Sequence, residues 1–167
     1  MTALPSRMTV IGISSPGGPE VLVPEQRPVP SPGNGEILIK VAAAGVNRPD
    51  VRQRQGSYPP PKGAGDIPGL EIAGEVVAIG EEVTRFKSGD KVCALVVAGG
   101  YAEYCLAHES HALKVPSSLS MIEAAAIPGT QFGDKGVMGG GAAGFELDSV
   151  DPRYGSPPNT LIVAKGI

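Results

Sequence analysis

The chain has 167 residues and a formal net charge of -3. That length fits one domain of ordinary size, or one domain with a tail. The charge gives no reason to expect nucleic acid or an anionic membrane as partner. Aromatics make up 4% and tryptophan is absent, so the core must be built from Val, Ile, Leu and Ala, while 24 glycines and 17 prolines call for many turns and a β-rich domain.

In chain order, Met1–Arg7 reads as a disordered lead-in without the character of a signal peptide. Met8–Ile13 alternates as a strand and ends at Ser15-Pro16-Gly17-Gly18-Pro19, and Val21–Gln26 reads as a second short strand. Three prolines and two glycines make Arg27–Gly35 a loop. Glu36–Val46 is a strong strand, with Ile37, Ile39 and Val41 expected on one face and Leu38 and Ala42 on the other. A helical turn over Asn47–Gln55 follows, with Pro49 near its start where proline is tolerated. Tyr58-Pro59-Pro60-Pro61-Lys62-Gly63 is irregular.

Residues 66–97 carry the densest β signal. Glu71–Ile79 reads as a strand and Val92–Val97 as another, with turns at Gly80-Glu81-Glu82 and Lys87-Ser88-Gly89-Asp90 between them. Gly69 and Gly74 mark a bend or a close backbone approach. After a tight turn at Gly99-Gly100, Tyr101–Ala107 and His111–Val115 are further strands, and Ser117 or Ser120 caps a short helix over Met121–Ala126. Beyond Pro128 the pattern collapses. Residues 129–158 show neither helical nor strand period and are expected to lack stable structure, while Thr160–Ala164 reads as a strand. Cys93 and Cys105 sit in apolar strand-like runs and are read as reduced core thiols, which with the absence of a signal peptide points to a cytoplasmic protein. No apolar run reaches the length of a membrane span.

The spacing around Gly69-Leu70-Glu71, Gly74, Gly80 and Val83 resembles the fingerprint of the medium-chain dehydrogenases and reductases. Segments at 17–22, 35–50, 55–61, 88–95, 99–107 and 123–128 resemble the quinone oxidoreductases of that superfamily, in family order and over about three-quarters of the chain. The resemblance implies a mainly β fold: a GroES-like, partly open β-barrel with short helices over residues 8–128. It fails beyond them, where the family continues into a dinucleotide-binding domain and the residues of this chain read as an irregular Gly/Pro-rich tail at 129–167. It implies that the barrel covers the nicotinamide end of NAD(P)H and that the full-length family passes hydride to a quinone or enone. Where the family's zinc enzymes carry cysteine and histidine ligands, this chain has Asn47 and Leu70, so no metal is expected.

The resemblance places Asn47 and Tyr58 near the nicotinamide as hydrogen-bond donors to an acceptor oxygen, with Asn47 also touching the cofactor. Asn47 reads equally as a helix N-cap, and Tyr58 as a surface loop tyrosine. Arg52 replaces an aromatic found in some relatives. Glu71 is read as structural, and His108 and His111 as solvated or capping. The Gly139–Gly144 stretch matches G-x-G-x-x-G literally, but lacks the preceding strand and following helix that would make it a phosphate cradle. NADPH is therefore expected not to bind tightly to this chain alone. Two readings stay open: the catalytic-domain portion of a quinone oxidoreductase-like enzyme, inactive alone, or a stand-alone GroES-like module for binding or assembly. Either leaves room for a homo-oligomer or a complementing chain that carries the cofactor domain.

Overall fold

A computed structural model describes residues 3–128 and the strand 161–164. The expected tail at 129–158 lies outside the described residues. The chain runs through β1 (Arg7–Ile13), β2 (Leu22–Pro28), β3 (Glu36–Val46), α1 (Arg48–Arg54), β4 (Glu71–Ile79), β5 (Lys91–Leu95), β6 (Tyr104–His108), β7 (Ala112–Lys114), α2 (Met121–Ala124) and β8 (Leu161–Ala164). β1 and β2 form a two-stranded antiparallel sheet. The other six strands form one sheet in the order β6-β3-β4-β5-β7, with β8 added to β3. The two sheets do not close on each other, and the fold is mainly β with short helices, the partly open GroES-like arrangement. The β1–β2 hairpin is stitched to the main sheet by a Val10–Ala102 bridge and by Ile11 N–H donating to the Tyr101 carbonyl at 2.8 Å.

β3 is the hub. One edge pairs with β4 along its length, and the other pairs first with β6 over residues 36–40 and then with β8 over 43–46. Its burial departs from simple alternation: Ile37, Leu38 and Ile39 are all fully buried, because both faces of the sheet are covered. Irregularities between Leu38 and Ile39 and between Val41 and Ala43 add twist along the strand. On one face Ile37 and Ile39 pack with Ile72, Val76, Phe86 and Val92. On the other, the small residues Ala43, Ala73 and Cys93 let α2 approach through Ala124 and Ala125. Each fully buried Ile or Leu contributes about 1.5–3 kcal/mol, so the three consecutive residues of β3 anchor the domain.

Several boundaries differ from the sequence expectation. Val21 belongs to a 3-10 turn over Pro19–Val21, in which its amide bonds back to Gly18, so β2 starts one residue later and runs on to Pro28. β5 ends at Leu95 instead of Val97, and Val97 is exposed. β6 starts at Tyr104 instead of Tyr101, since the Tyr101 N–H is taken by the Pro68 carbonyl in a loop-to-loop contact. His111 closes a 3-10 turn over Glu109–His111, leaving β7 to begin at Ala112. Of the two cap candidates for α2, Ser120 is used: its Oγ accepts from Glu123 N–H at 3.2 Å, and Glu123 Oε2 accepts from Ser120 N–H at 2.9 Å.

Candidate functional site

β3 ends in Gly45-Val46, and the chain turns at Asn47 into α1. Asn47 has extended backbone angles and sits at the N-cap position. Its backbone N–H donates to Asp50 Oδ2 at 2.7 Å, half of a capping box with an aspartate at the third helical position. The side chain of Asn47 turns the other way. Its Nδ2 donates to Glu71 Oε1 at 2.7 Å, across from the first residue of β4. Glu71 is 1% exposed. A carboxylate so placed can only accept from the amide, which fixes Asn47 with nitrogen toward Glu71 and leaves a second N–H on the same atom. The cap and the side-chain contact are compatible, since the first uses the backbone and the second the amide.

Room for Glu71 comes from Gly45, where a Cβ would fall on the glutamate carboxyl. Asp50, 4% exposed, is the second buried acid of the cluster. Beyond Asn47 N–H, it accepts from Gly69 N–H at 3.2 Å through Oδ1. Burial raises its pKa, while the N–H donors of Asn47 and Gly69 and the nearby Tyr101 hydroxyl pull it back down. Tyr101 is itself buried, its hydroxyl has no hydrogen-bond partner of good geometry, and burial together with the Asp50 carboxylate raises its pKa. Gly69 adopts φ +99°, and a Cβ there would lie 2.6 Å from the Tyr101 backbone nitrogen, so this turn requires glycine.

The structure thus brings Asn47 and Glu71 together and adds Asp50, which the sequence reading did not single out. The signal for it was Asn-x-x-Asp at the start of a helix, the spacing of a capping box. Tyr58 stands apart, 41% exposed on the bend after α1. Arg52 is exposed on α1, and Leu70, half-buried, offers no donor atom. His108 is a capping residue, its Nδ1 accepting from Ser110 N–H at 3.2 Å. Cys93 and Cys105 are free and buried, each thiol pushed up to about 12 by burial. Among the described residues no group of three or more His, Cys, Asp or Glu side chains is arranged to hold a metal ion.

A largely apolar groove of about 880 Å³ lies beside α1, bordered by Ile11, Leu22, Ala44, Val51 and Tyr101. It shares Asp50 with the polar cluster, whereas Asn47, Glu71 and Tyr58 do not line it. Its wall along β3 includes Ala43, Ala44 and Val46, three of the residues that pair with β8.

Comparison with known proteins places the chain among relatives. The alcohol dehydrogenase GroES-like domain matches residues 33–117. The quinone oxidoreductase of Lama guanicoe is 43% identical over 122 residues, which is 72% of this chain and 37% of that protein. The human quinone oxidoreductase is 38% identical over the same length and coverage. Among solved structures, the quinone oxidoreductase from Coxiella burnetii superposes with a TM-score of 0.67 at 31% identity, covering 73% of this chain and 41% of that one. The human synaptic vesicle membrane protein VAT-1 homolog-like protein gives 0.68 at 34% identity, covering 73% and 40%. The chain spans little more than a third of the length of the curated relatives it matches.

Proposed function

The chain belongs to the alcohol dehydrogenase GroES-like domain family, and from that premise we propose that it is the catalytic-domain portion of an NAD(P)H-dependent quinone oxidoreductase, zinc-free and cytoplasmic. The observation that carries this reading is the Asn47 amide, held by the buried Glu71 through one of its two N–H groups. When bound, NAD(P)H supplies the hydride that a quinone or enone accepts. The task left to the protein is to place the acceptor and to donate to its oxygen as negative charge develops there. Asn47 is the proposed donor and touches the nicotinamide end; Tyr58, exposed on the neighbouring bend, is the proposed second donor that closes over the acceptor. An amide and a leucine at positions 47 and 70 offer no zinc ligand pair, which supports metal-free chemistry.

Most binding energy for a dinucleotide comes from its pyrophosphate and adenosine, received by a helix N-terminus after a strand and a glycine turn. The helices among the described residues, α1 and α2, have seven and four residues, and neither follows such a turn. The described residues therefore offer no such cradle for the phosphates, and the proposed contact is with the nicotinamide end alone. We expect this chain alone to hold NADPH weakly and not to turn it over, and a chain carrying the cofactor domain, or a second copy, to complete the site. Orientation of the reactants is worth roughly 7–11 kcal/mol of a barrier, more than two donors replace. The test is an NADPH fluorescence titration followed by steady-state NADPH oxidation with a simple quinone, with Asn47→Ala as control. Saturable turnover by the isolated chain, lowered by the substitution, would overturn the inactivity. Absence of any Asn47-dependent nicotinamide contact after a complementing cofactor domain is added would overturn the oxidoreductase reading and favour a binding module.

A further inference from the structure

We propose that Asp50 is the positioning residue of this site: its buried carboxylate ties the start of α1 to the Gly69 turn and so holds the Asn47 amide against Glu71. The inference takes its functional meaning from the reading of Asn47 given above, and its geometry stands without it. The β3–β4 ladder holds the two strands together as far as the Ala44–Ile72 pair. Beyond it, where the chain turns at Asn47 and Glu71 begins β4, a bond between flexible side-chain tips does not fix the backbones; Asp50 does. One oxygen accepts from the Asn47 backbone N–H at 2.7 Å and the other from the Gly69 backbone N–H at 3.2 Å, two residues before Glu71. A single rigid carboxylate therefore bridges the residue that carries the amide and the turn that delivers its partner.

α1 cannot perform this alignment unaided, since seven residues are too few for a helix to hold its own register in water. Its far end is tied by Arg54 to Gly17, which anchors the helix to the β1–β2 connection, and by an exposed bond from Gln53 Nε2 to the Asp66 carbonyl at 3.3 Å, three residues short of Gly69. Burial makes the carboxylate dependent on its donors, because a buried acceptor left without partners is costly. The titratable groups that face it are Tyr101, whose hydroxyl adjoins it, and Glu71, linked through Asn47. Packing at Gly69 against Tyr101 and Gly100 leaves the turn no alternative seat.

The experiment follows the Asn47 side-chain amide by NMR, assigned from its loss in Asn47→Ala, in the wild-type chain and in Asp50→Asn. Asparagine at 50 keeps one acceptor oxygen but turns an NH2 group toward the other N–H donor, so the bridge fails on one side. In Asp50→Asn the Asn47 amide protons are expected to move toward free-asparagine positions and to exchange at least about tenfold faster, with β3–β4 ladder protection retained. Tyr101→Phe, which removes the hydroxyl beside Asp50 but neither backbone donor of the bridge, is expected to leave the Asn47 signals in place. An intact ladder with unmoved Asn47 side-chain signals in Asp50→Asn would overturn the proposal. Should that variant not fold, hydrogen exchange in the unaltered chain decides: the backbone N–H groups of Asn47 and Gly69, held by one carboxylate, are expected to open together, with protection factors within about tenfold of each other. A wider gap overturns the bridge. These readouts use no cofactor, so a failed NADPH titration would count against the proposed function and leave this inference untouched.

Discussion

Replacing Asn47 by aspartate separates the two roles that the residue plays. Aspartate is as good an N-cap as asparagine, so a residue that merely capped α1 would tolerate the change with almost no effect. In the structure, however, the substituted atom lies 2.7 Å from Glu71 Oε1, and aspartate would set a second carboxyl in contact with one that is 1% exposed. Two carboxyls at that distance cannot both ionise, and one native-state pKa rises well above its unfolded value. A rise of roughly 2 units amounts to about 2.7 kcal/mol. Losing the amide's bond to a charged acceptor adds about 1.5–3 kcal/mol where no shared proton replaces it. The expected loss at pH 7 is therefore about 3 kcal/mol or more, a large part of the roughly 5–15 kcal/mol that holds a domain folded. The native variant retains a proton that the unfolded chain releases above pH about 4. Its stability is thus highest below that pH and falls as pH rises through the elevated native value. Urea unfolding at pH 4.5 and pH 7.5, referenced to wild type at each pH, measures the difference. A penalty that is the same at both pH values, or near zero at both, would refute the contact between Asn47 and Glu71.

Gly45→Ala puts a methyl where the Glu71 carboxyl lies; we expect a loss of about 1–3 kcal/mol, typical of overpacking, and loss of the Asn47 side-chain NMR signature along with it. Gly45→Ala at wild-type stability would show that Glu71 has another place to go. Cys93 and Cys105, with thiols pushed up to about 12 by burial, are expected to resist a disulfide reagent at pH 8 until denaturant is added, so rapid labelling of the native chain would contradict their burial. Elemental analysis of the purified chain is expected to find no stoichiometric zinc, since positions 47 and 70 hold asparagine and leucine; one tightly held zinc per chain would show that other donors assemble a site.

Where local chemistry decides a boundary, the sequence announces it. β4 runs over Glu71–Ile79 as its composition predicts, because a glycine turn stands at each end and β-branched residues fill the middle. β3 was likewise legible in extent and in the grouping of Ile37, Ile39 and Val41, yet not in its burial, since Leu38 is as buried as Ile37 and Ile39 and alternation does not say whether one side of a sheet or both are covered. Tyr101 reads as strand, but its N–H serves Pro68, more than thirty residues earlier in the chain. The site divides in the same way. Asn47 at a helix start could be read from Asn-Arg-Pro, whereas its partner Glu71 and the acceptance of Gly69 N–H by Asp50 are contacts across 24 and 19 positions. No period or motif within a window encodes such contacts; they follow from β3 and β4 lying side by side.

The hub strand also sets a schedule for the chain during its synthesis. β3 has apolar residues on both faces, and its partners are made later: β4 soon after it, β6 about sixty residues after β3 ends, and β8 beginning roughly 115 residues after Val46. At a translation rate of about 5–20 residues per second, the Ala43–Val46 edge waits roughly 6–23 s for its last strand. During that interval an unpaired, small-residue edge faces whatever else the ribosome's surroundings offer, and such edges readily take up foreign strands. The order of synthesis thus makes the stretch beside Asn47 the last part of the main sheet to be sealed.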